Sequence, residues 1–457
     1  MMGRYEYNQA EQELNAVLGF QDAQLRDISM PDMSDAERTI SSSETLLESL
    51  GYDLPHGDNA IDEHPLQLKT IPRVTVLPSW EALLSEATAT GHSNDTLESL
   101  FSEEELRANS EAIRRLNAEY DTVHQLDQLD IAISAGAGLL AAAIDILLVG
   151  FPKKTGEGVK AGPLSNYIRD HIENSLSPEQ IRRLERASKV PYDAPINDGF
   201  TTTRVEGLGP GMHRLYSLGH DPLLGLVVGV SDILTGQMTT IDKNGKVVVQ
   251  VIERYAHLQK TDIVQALLTQ ILHFFSDVTT PAGLPAPGTA LFNLMQFGDI
   301  GKERATIAEI VQGMYYEGYD FVQFCAQSIP VAVSEVVVRF AYALRKIKGG
   351  TPVKEAIPFS TDRSRHPKLG TMLFISHSIA TAANAGRIAF TKDPMAISYA
   401  QWIAFAKYSY QQLKWVLLEK PEARDKFVRA EITEQTQEVY DEIDRMLGEL
   451  EDEMILL

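Results

Sequence analysis

His273 and Asp277 stand four positions apart in an apolar stretch that also holds Ile271, Leu272, Phe274, Phe275 and Val278. On a helix, residues i and i+4 share one face. A neutral imidazole and a carboxylate placed that way can share a divalent metal ion. The same logic puts two histidines on one face of a zinc-protease helix. The apolar surroundings sharpen the question, because burying a carboxylate is costly unless it is paired or metal-bound. A plain hydrogen-bonded pair closing a helix ahead of Thr280-Pro281 would use the same residues.

A second group lies earlier in the chain. Residues 211–222 read Gly-Met-His-Arg-Leu-Tyr-Ser-Leu-Gly-His-Asp-Pro. His213, Arg214, His220 and Asp221 fall between a Gly-rich loop and an apolar segment. Asp221-Pro222 alone fits a helix start, with Asp as cap and Pro in the first turn. That accounts for Asp221 without a metal and leaves His213 and His220 unexplained. A loop presenting His and Asp at a helix mouth is one way to assemble ligands from separate elements.

Together these motifs resemble those of the predicted bacterial membrane-bound metal-dependent hydrolases, a family distantly compared with zinc phospholipases C. Its members carry an early Asp in an apolar segment, then His-Arg…His opening a hydrophobic helix, then His-x-x-x-Asp followed by Thr-Pro-x-Gly. Asp145, His213-Arg214 with His220, and His273, Asp277 and Thr280-Pro281-Ala282-Gly283 occupy those places here, over residues 145–290. The second histidine comes about two residues later than in the family pattern, and Asp221 stands where a Ser is expected.

The resemblance implies one or two Zn²⁺ or similar divalent ions held by His213, His220, His273 and Asp277, with Asp221 as an optional further ligand. Asp145 would be a further ligand or would orient a histidine. Asp221 and Asp277 would be the catalytic carboxylates, and Arg214 would meet the substrate. Such a metal lowers the pKa of bound water and polarises a phosphoryl or acyl oxygen.

Residues 345–368 carry Arg345, Lys346, Lys348, Lys354, Arg363, Arg365 and Lys368 against only Glu355 and Asp362. Arg365 and Lys368 are expected to contact substrate, and the segment could bind phosphate or an anionic lipid surface. A solvated loop partnering the acidic N-terminal region is the plainer reading. His377 lies in an apolar pattern and reads as a satisfied core histidine. Gly225 and Gly229 form a G-x-x-x-G that permits close helix packing. No P-loop, Gly-x-Ser-x-Gly, Rossmann fingerprint or kinase set occurs in the chain.

The elements that must position these residues read as mainly helical: a multi-helix bundle with small-residue apolar helices. Ser102-Glu103-Glu104-Glu105 fits a capping box opening a long helix, and Ser177-Pro178-Glu179-Gln180 opens another. Residues 238–252 form two β-rich runs around Asn244-Gly245, which predicts a hairpin. A short strand is expected over 71–77, a helix start at Ser41-Ser42-Ser43, and a loop over 51–64. Helices are expected over 223–234, 261–278, 307–328, 331–347, 371–390 and 394–418. An acidic amphipathic helix over 421–451 would pack on the body or on a partner helix.

A chain of 457 residues exceeds one ordinary core. Residues 1–100 read as an acidic, partly flexible region, 101–420 as the helical core domain, and 421–457 as the C-terminal helix. The net charge of −22 argues against nucleic acid over the whole surface. Residues 1–110 hold 21 acidic and 6 basic side chains, so much of that charge sits at the N-terminal end. One cysteine, Cys325, excludes an internal disulfide and a Cys-based zinc site, and suggests a reducing compartment. The N-terminus lacks the basic and apolar regions of a secretory signal. Residues 131–150 are about long enough to span a bilayer, yet Asp145 would be costly at its centre. A cytoplasmic protein, soluble or peripheral to the inner membrane, is expected. Two functions remain open: a metal-dependent hydrolase acting on a phosphoester or lipid-like substrate, and a non-enzymatic helical protein of a membrane or larger assembly.

Overall fold

The computed structural model describes residues 7–27, 78–193, 205–209, 211–280, 283–301 and 303–455. The strand expected over 71–77, the helix start at Ser41-Ser42-Ser43 and the loop over 51–64 lie outside the described residues. Contacts divide the chain into two units, Met1–Ala118 and Glu119–Leu457. Among the described residues there are fifteen α-helices and two small antiparallel hairpins, so the fold is mainly α.

In the first unit, α1 (Gln9–Asp27) and α2 (Trp80–Ala89) bury Ala16, Val17 and Phe20 against Ala87. The expected capping box opens α3 (Glu103–His124): the Ser102 backbone N–H donates to Glu105, and the Glu105 N–H donates to the Ser102 hydroxyl.

The second unit begins with the end of α3 and α4 (Gln128–Ile144), which widens into a π turn over Asp145–Val149. Hairpin β1 (Lys153–Thr155) and β2 (Gly158–Lys160) follows, then α5 (Pro163–Glu173) and α6 (Pro178–Ala187). The box expected at Ser177 and Gln180 caps α6. Next come α7 (His213–Tyr216), α8 (Val228–Thr235), β3 (Gln237–Ile241) and β4 (Val247–Val251). Gly245 takes a φ of 78° in the predicted hairpin turn, which explains a Gly there. The helix expected over 223–234 starts only at Val228, because Asp221 ties down the preceding turn through the N–H groups of Leu223 and Leu224.

The remaining helices are α9 (Ile263–Val278), α10 (Ile307–Glu317), α11 (Phe321–Lys348), α12 (Val353–Ala356), α13 (Leu369–Thr391), α14 (Tyr399–Lys414) and α15 (Lys420–Ile455). Two boundaries differ from expectation. Gly318, with φ 104°, ends the first of them where a helix to residue 328 was read. The helix α11 then runs unbroken through Pro330, whose buried ring and flanking packing offset the roughly 3 kcal/mol a helix-interior Pro costs.

Helices α4, α11, α13 and α14 share a core of Ala137, Val338, Leu369, Met372, Leu373 and Tyr408. Gly138 lets α4 meet α13: a Cβ there would lie 2.4 Å from the Ser376 carbonyl oxygen. The interior of this bundle is notably polar, with Ser134, Ser334, Ser376, His377, Asn384 and Gln401 all buried. Leu139, Leu147, Val336, Phe340 and Leu413 are exposed instead. The stretches Glu103–Val149 and Phe321–Lys348 are long and apolar enough, by length and composition, to cross a membrane. At its start α15 packs Phe427 on Tyr120 and pairs Lys420 with Asp121 at 2.7 Å. Beyond the buried Val428, its apolar positions Ile432, Val439, Ile443 and Met446 are exposed.

Candidate metal centre

Three segments of the second unit converge on one buried point. The last turns of α9 supply His273 and Asp277, both nearly fully buried, with Nε2 of His273 3.3 Å from Oδ2 of Asp277. The residues from α7 into the next 3₁₀ turn supply His213 and His220. The turn Pro191–Asp193 supplies Asp193. His220 is wholly buried at the centre, its Nε2 3.6 Å from Oδ2 of Asp277 and 3.8 Å from Oδ1 of Asp193. His213 Nε2 lies 3.4 Å from the same Asp193 oxygen. Tetrahedral N and O ligands at zinc distances of about 2.0–2.2 Å sit roughly 3.3–3.5 Å from one another. The observed separations are close to that.

The bonding state of these atoms is the sharper test. Nδ1 and Nε2 of His220, Nε2 of His273 and Oδ2 of Asp277 are buried without a hydrogen-bond partner. Buried polar atoms are ordinarily paired, and leaving each unpaired costs about 1–3 kcal/mol. Of these, Nε2 of His220, Nε2 of His273 and Oδ2 of Asp277 face one another, while Nδ1 of His220 lies on another edge of its ring. A divalent cation would satisfy those three atoms together, so the residues fit a metal ion. The groups Asp193, His213, His220 and His220, His273, Asp277 overlap at His220. Both approaches use the same nitrogen, Nε2, and one imidazole nitrogen has one lone pair. That favours a single ion over two.

Electrostatics agree. Burial, the largest influence, lowers the His220 pKa to about 4, against the raising effect of Asp193 and Asp277. The ring is therefore neutral near pH 7, the form that ligates. Desolvation raises the Asp193 carboxyl, but the neighbouring imidazoles of His213 and His220 outweigh it and hold it well below the usual range. Arg214 donates through Nη2 to Oδ1 of Asp277 at 2.9 Å and through Nη1 to the Thr280 hydroxyl at 3.0 Å. This leaves Oδ2 of Asp277 turned toward the histidines.

Tyr192 closes the site from the side, edge-on to His220 and His273 with centroids 4.9 and 5.5 Å away. Its hydroxyl donates to Gln270, whose Nε2 donates to the Gly219 carbonyl at 2.7 Å. Gly219 is required there, since a Cβ would fall 2.6 Å from the Tyr192 ring. Gly225 and Gly229 also allow close approach, the latter beside Gln270.

The structure brings together His213, His220, His273, Asp277 and Arg214, as read from the sequence, and moves the other expected residues elsewhere. Asp145 is not in the cluster. It is buried in the π turn after α4, and Arg387 of α13 pairs with it at 3.3 Å. An apolar helix carrying one Asp signals either a metal or a distant cation, and here it is the cation. Asp221 does not face the cluster either. Its carboxylate accepts the N–H groups of Leu223, Leu224, Gly288 and Ala290, which pins two loops and leaves it no catalytic position. Arg214 orients Asp277 where a substrate contact was expected. Lys368 pairs with Asp130 at 3.3 Å, and Arg345 pairs with Asp127 and Asp130. Arg365 lines a separate concavity with Lys346, Lys354 and His366. Asp193 was missed: it lies in a Pro-flanked loop with no histidine near it in sequence, so only tertiary contact reveals it. His377 is buried in the core as expected, its Nδ1 paired with Gln401 but its Nε2 without a partner. Compared with known proteins, the chain matches no family model, no curated relative and no solved structure.

Proposed function

We propose that this chain is a metal-dependent hydrolase that cleaves a phosphoester or a lipid-like ester. The observation that supports this most is the set of buried, unpartnered ligand atoms of His220, His273 and Asp277 facing one another. Imidazole nitrogens with carboxylate oxygens and no thiolate suit zinc. A bound divalent ion supplies Lewis acidity toward a phosphoryl or acyl oxygen and acidifies water.

The residues of the chain do the rest. His220, His273 and Asp277 form the buried side of the site, and Arg214 fixes the Asp277 carboxylate by hydrogen bonding outside the ligand shell. Asp193 is exposed and His213 half-buried, so the open side of the site is theirs. They are the groups placed to meet a substrate and to hold or pass a proton. Lys346, Lys354 and Arg365 remain as the cations for a phosphate or an anionic lipid surface, since Arg345 and Lys368 are paired within the fold. The resemblance to the membrane-bound metal-dependent hydrolases agrees with this reading, and its place would be cytoplasmic, soluble or peripheral to the inner membrane.

The test is metal content. The full chain, purified without chelator, is expected to carry about one equivalent of zinc by plasma mass spectrometry, and to hydrolyse bis-p-nitrophenyl phosphate or a p-nitrophenyl ester in a chelator-sensitive way. Protein that stays metal-free when zinc is supplied removes the proposal. The second reading, a non-enzymatic assembly protein, then gains, because α15 leaves Ile432, Val439 and Ile443 exposed for a partner helix.

A further inference from the structure

An apolar cavity of about 540 Å³ lies in the second unit between the 286–300 segment and helices α10, α11 and α14. Ile307, Val311, Met314, Phe324 and Ile388 are among the residues that form its wall. Pockets of 300–1,000 Å³ are the size that buries a small ligand.

The polar side chains on the wall are already engaged by the protein. Tyr315 donates its hydroxyl to the Gly283 carbonyl at 2.7 Å, Tyr399 to Pro287 at 3.0 Å, and Tyr319 to Met395. Thr289 donates to Ala286, and Trp402 donates to Asn384 at 2.9 Å. Gln327 donates to the Ile397 carbonyl and accepts from the Tyr399 N–H. Asp320 is held by both Nη atoms of Arg169, at 2.7 and 2.8 Å. The wall therefore presents hydrocarbon and aromatic faces with its donors and acceptors committed elsewhere. Water needs two to four polar partners to occupy such a space, and a polar ligand would lose its hydration without replacement. Ile300 and Ile403 line the cavity and are also exposed, so the wall continues onto apolar surface.

From this we infer that the cavity between α10, α11 and α14 is a binding site for a single hydrocarbon chain, the acyl tail of a fatty acid or of a lipid. The tail lies inside, and its polar head stays at the edge near Ile300 and Ile403. The inference stands on the cavity wall and does not depend on the metal reading.

Displacement of fluorescent cis-parinaric acid from the full chain tests it. A saturated fatty-acid series from hexanoate to dodecanoate is expected to tighten about fourfold per methylene, then level off when the cavity is full. A lysophosphatidylcholine series of the same chain lengths distinguishes a free acid from a lipid tail. Equal slopes mean the tail alone is read, and a preferred head identifies the source. Val311→Trp, which fills the wall, and Ala406→Trp, at its exposed edge, are each expected to weaken binding at least tenfold with the circular dichroism spectrum retained. His273→Ala should leave the probe bound, which separates this site from the metal centre. Failure of the wild-type chain to bind the probe, a flat chain-length dependence, or unchanged binding in Ala406→Trp would each overturn the assignment.

Discussion

His220 and His377 are both wholly buried, and burial lowers both to a pKa of about 4. Their neighbours differ. Nδ1 of His377 meets the Gln401 amide at 3.3 Å, that amide also donates to Thr381, and the ring lies flat on Tyr408 with centroids 4.7 Å apart. Around His220 stand two more imidazoles and two carboxylates, with no hydrogen bond to either ring nitrogen. The first leaves a single ring atom, Nε2, unpaired, and among the described residues His377 belongs to no group of converging ligand atoms. The second is one that a cation would complete. A buried histidine therefore does not mark a site; the chemistry facing it does.

Replacing each histidine is the strongest way to break this contrast. His220→Ala and His273→Ala should reduce bound zinc from about one equivalent to a small fraction, while His377→Ala should keep the metal and lose stability instead. Equal metal content in all three, by plasma mass spectrometry, would erase the distinction.

The pH dependence of stability follows for His377. Burial lowers its folded-state pKa from the ordinary 6.5 to about 4, so the unfolded chain takes up the proton first. Its contribution is intact above about pH 6.5 and is lost as the pH falls toward 4, on the order of 3 kcal/mol in all. Urea titrations across this range should show that slope, and His377→Gln should flatten it.

Smaller effects sharpen the metal side. Arg214→Gln leaves Asp277 without its orienting donor, and zinc affinity by competition with a chromogenic chelator should drop about 10–100-fold. Tyr192→Phe removes the hydroxyl that donates to Gln270, for about 1 kcal/mol of stability in a urea titration with the metal retained. A loss of metal in Tyr192→Phe would mean the hydroxyl bond to Gln270 is needed to hold the ligand geometry.

Much of this was legible in residue order, and the failures share a cause. The caps at Ser102 and Ser177 and the turn at Asn244-Gly245 are short-range chemistry, and all three formed. His273 and Asp277 meet because a helix repeats every 3.6 residues, which also needs no distant information. Asp145, Asp221 and Asp193 needed such information. Arg387 lies more than two hundred positions beyond Asp145, and the N–H groups of Gly288 and Ala290 that complete the shell of Asp221 come from another loop. Nothing beside Asp193 in the sequence announces the two imidazoles it meets. Pro330 misleads for a related reason: the local rule breaks a helix there, and tertiary burial overrides it.

The shared position of His220, between a turn at Asp193 and a helix end at Asp277, has a kinetic consequence. Those two carboxylates are separated by a long stretch of chain that must first close into a loop. A nascent chain can offer only the adjacent pair on α9, a weak two-point grip. Full coordination arrives with the finished fold, so the ion would act as a rivet set last, one that slows unfolding far more than it speeds folding.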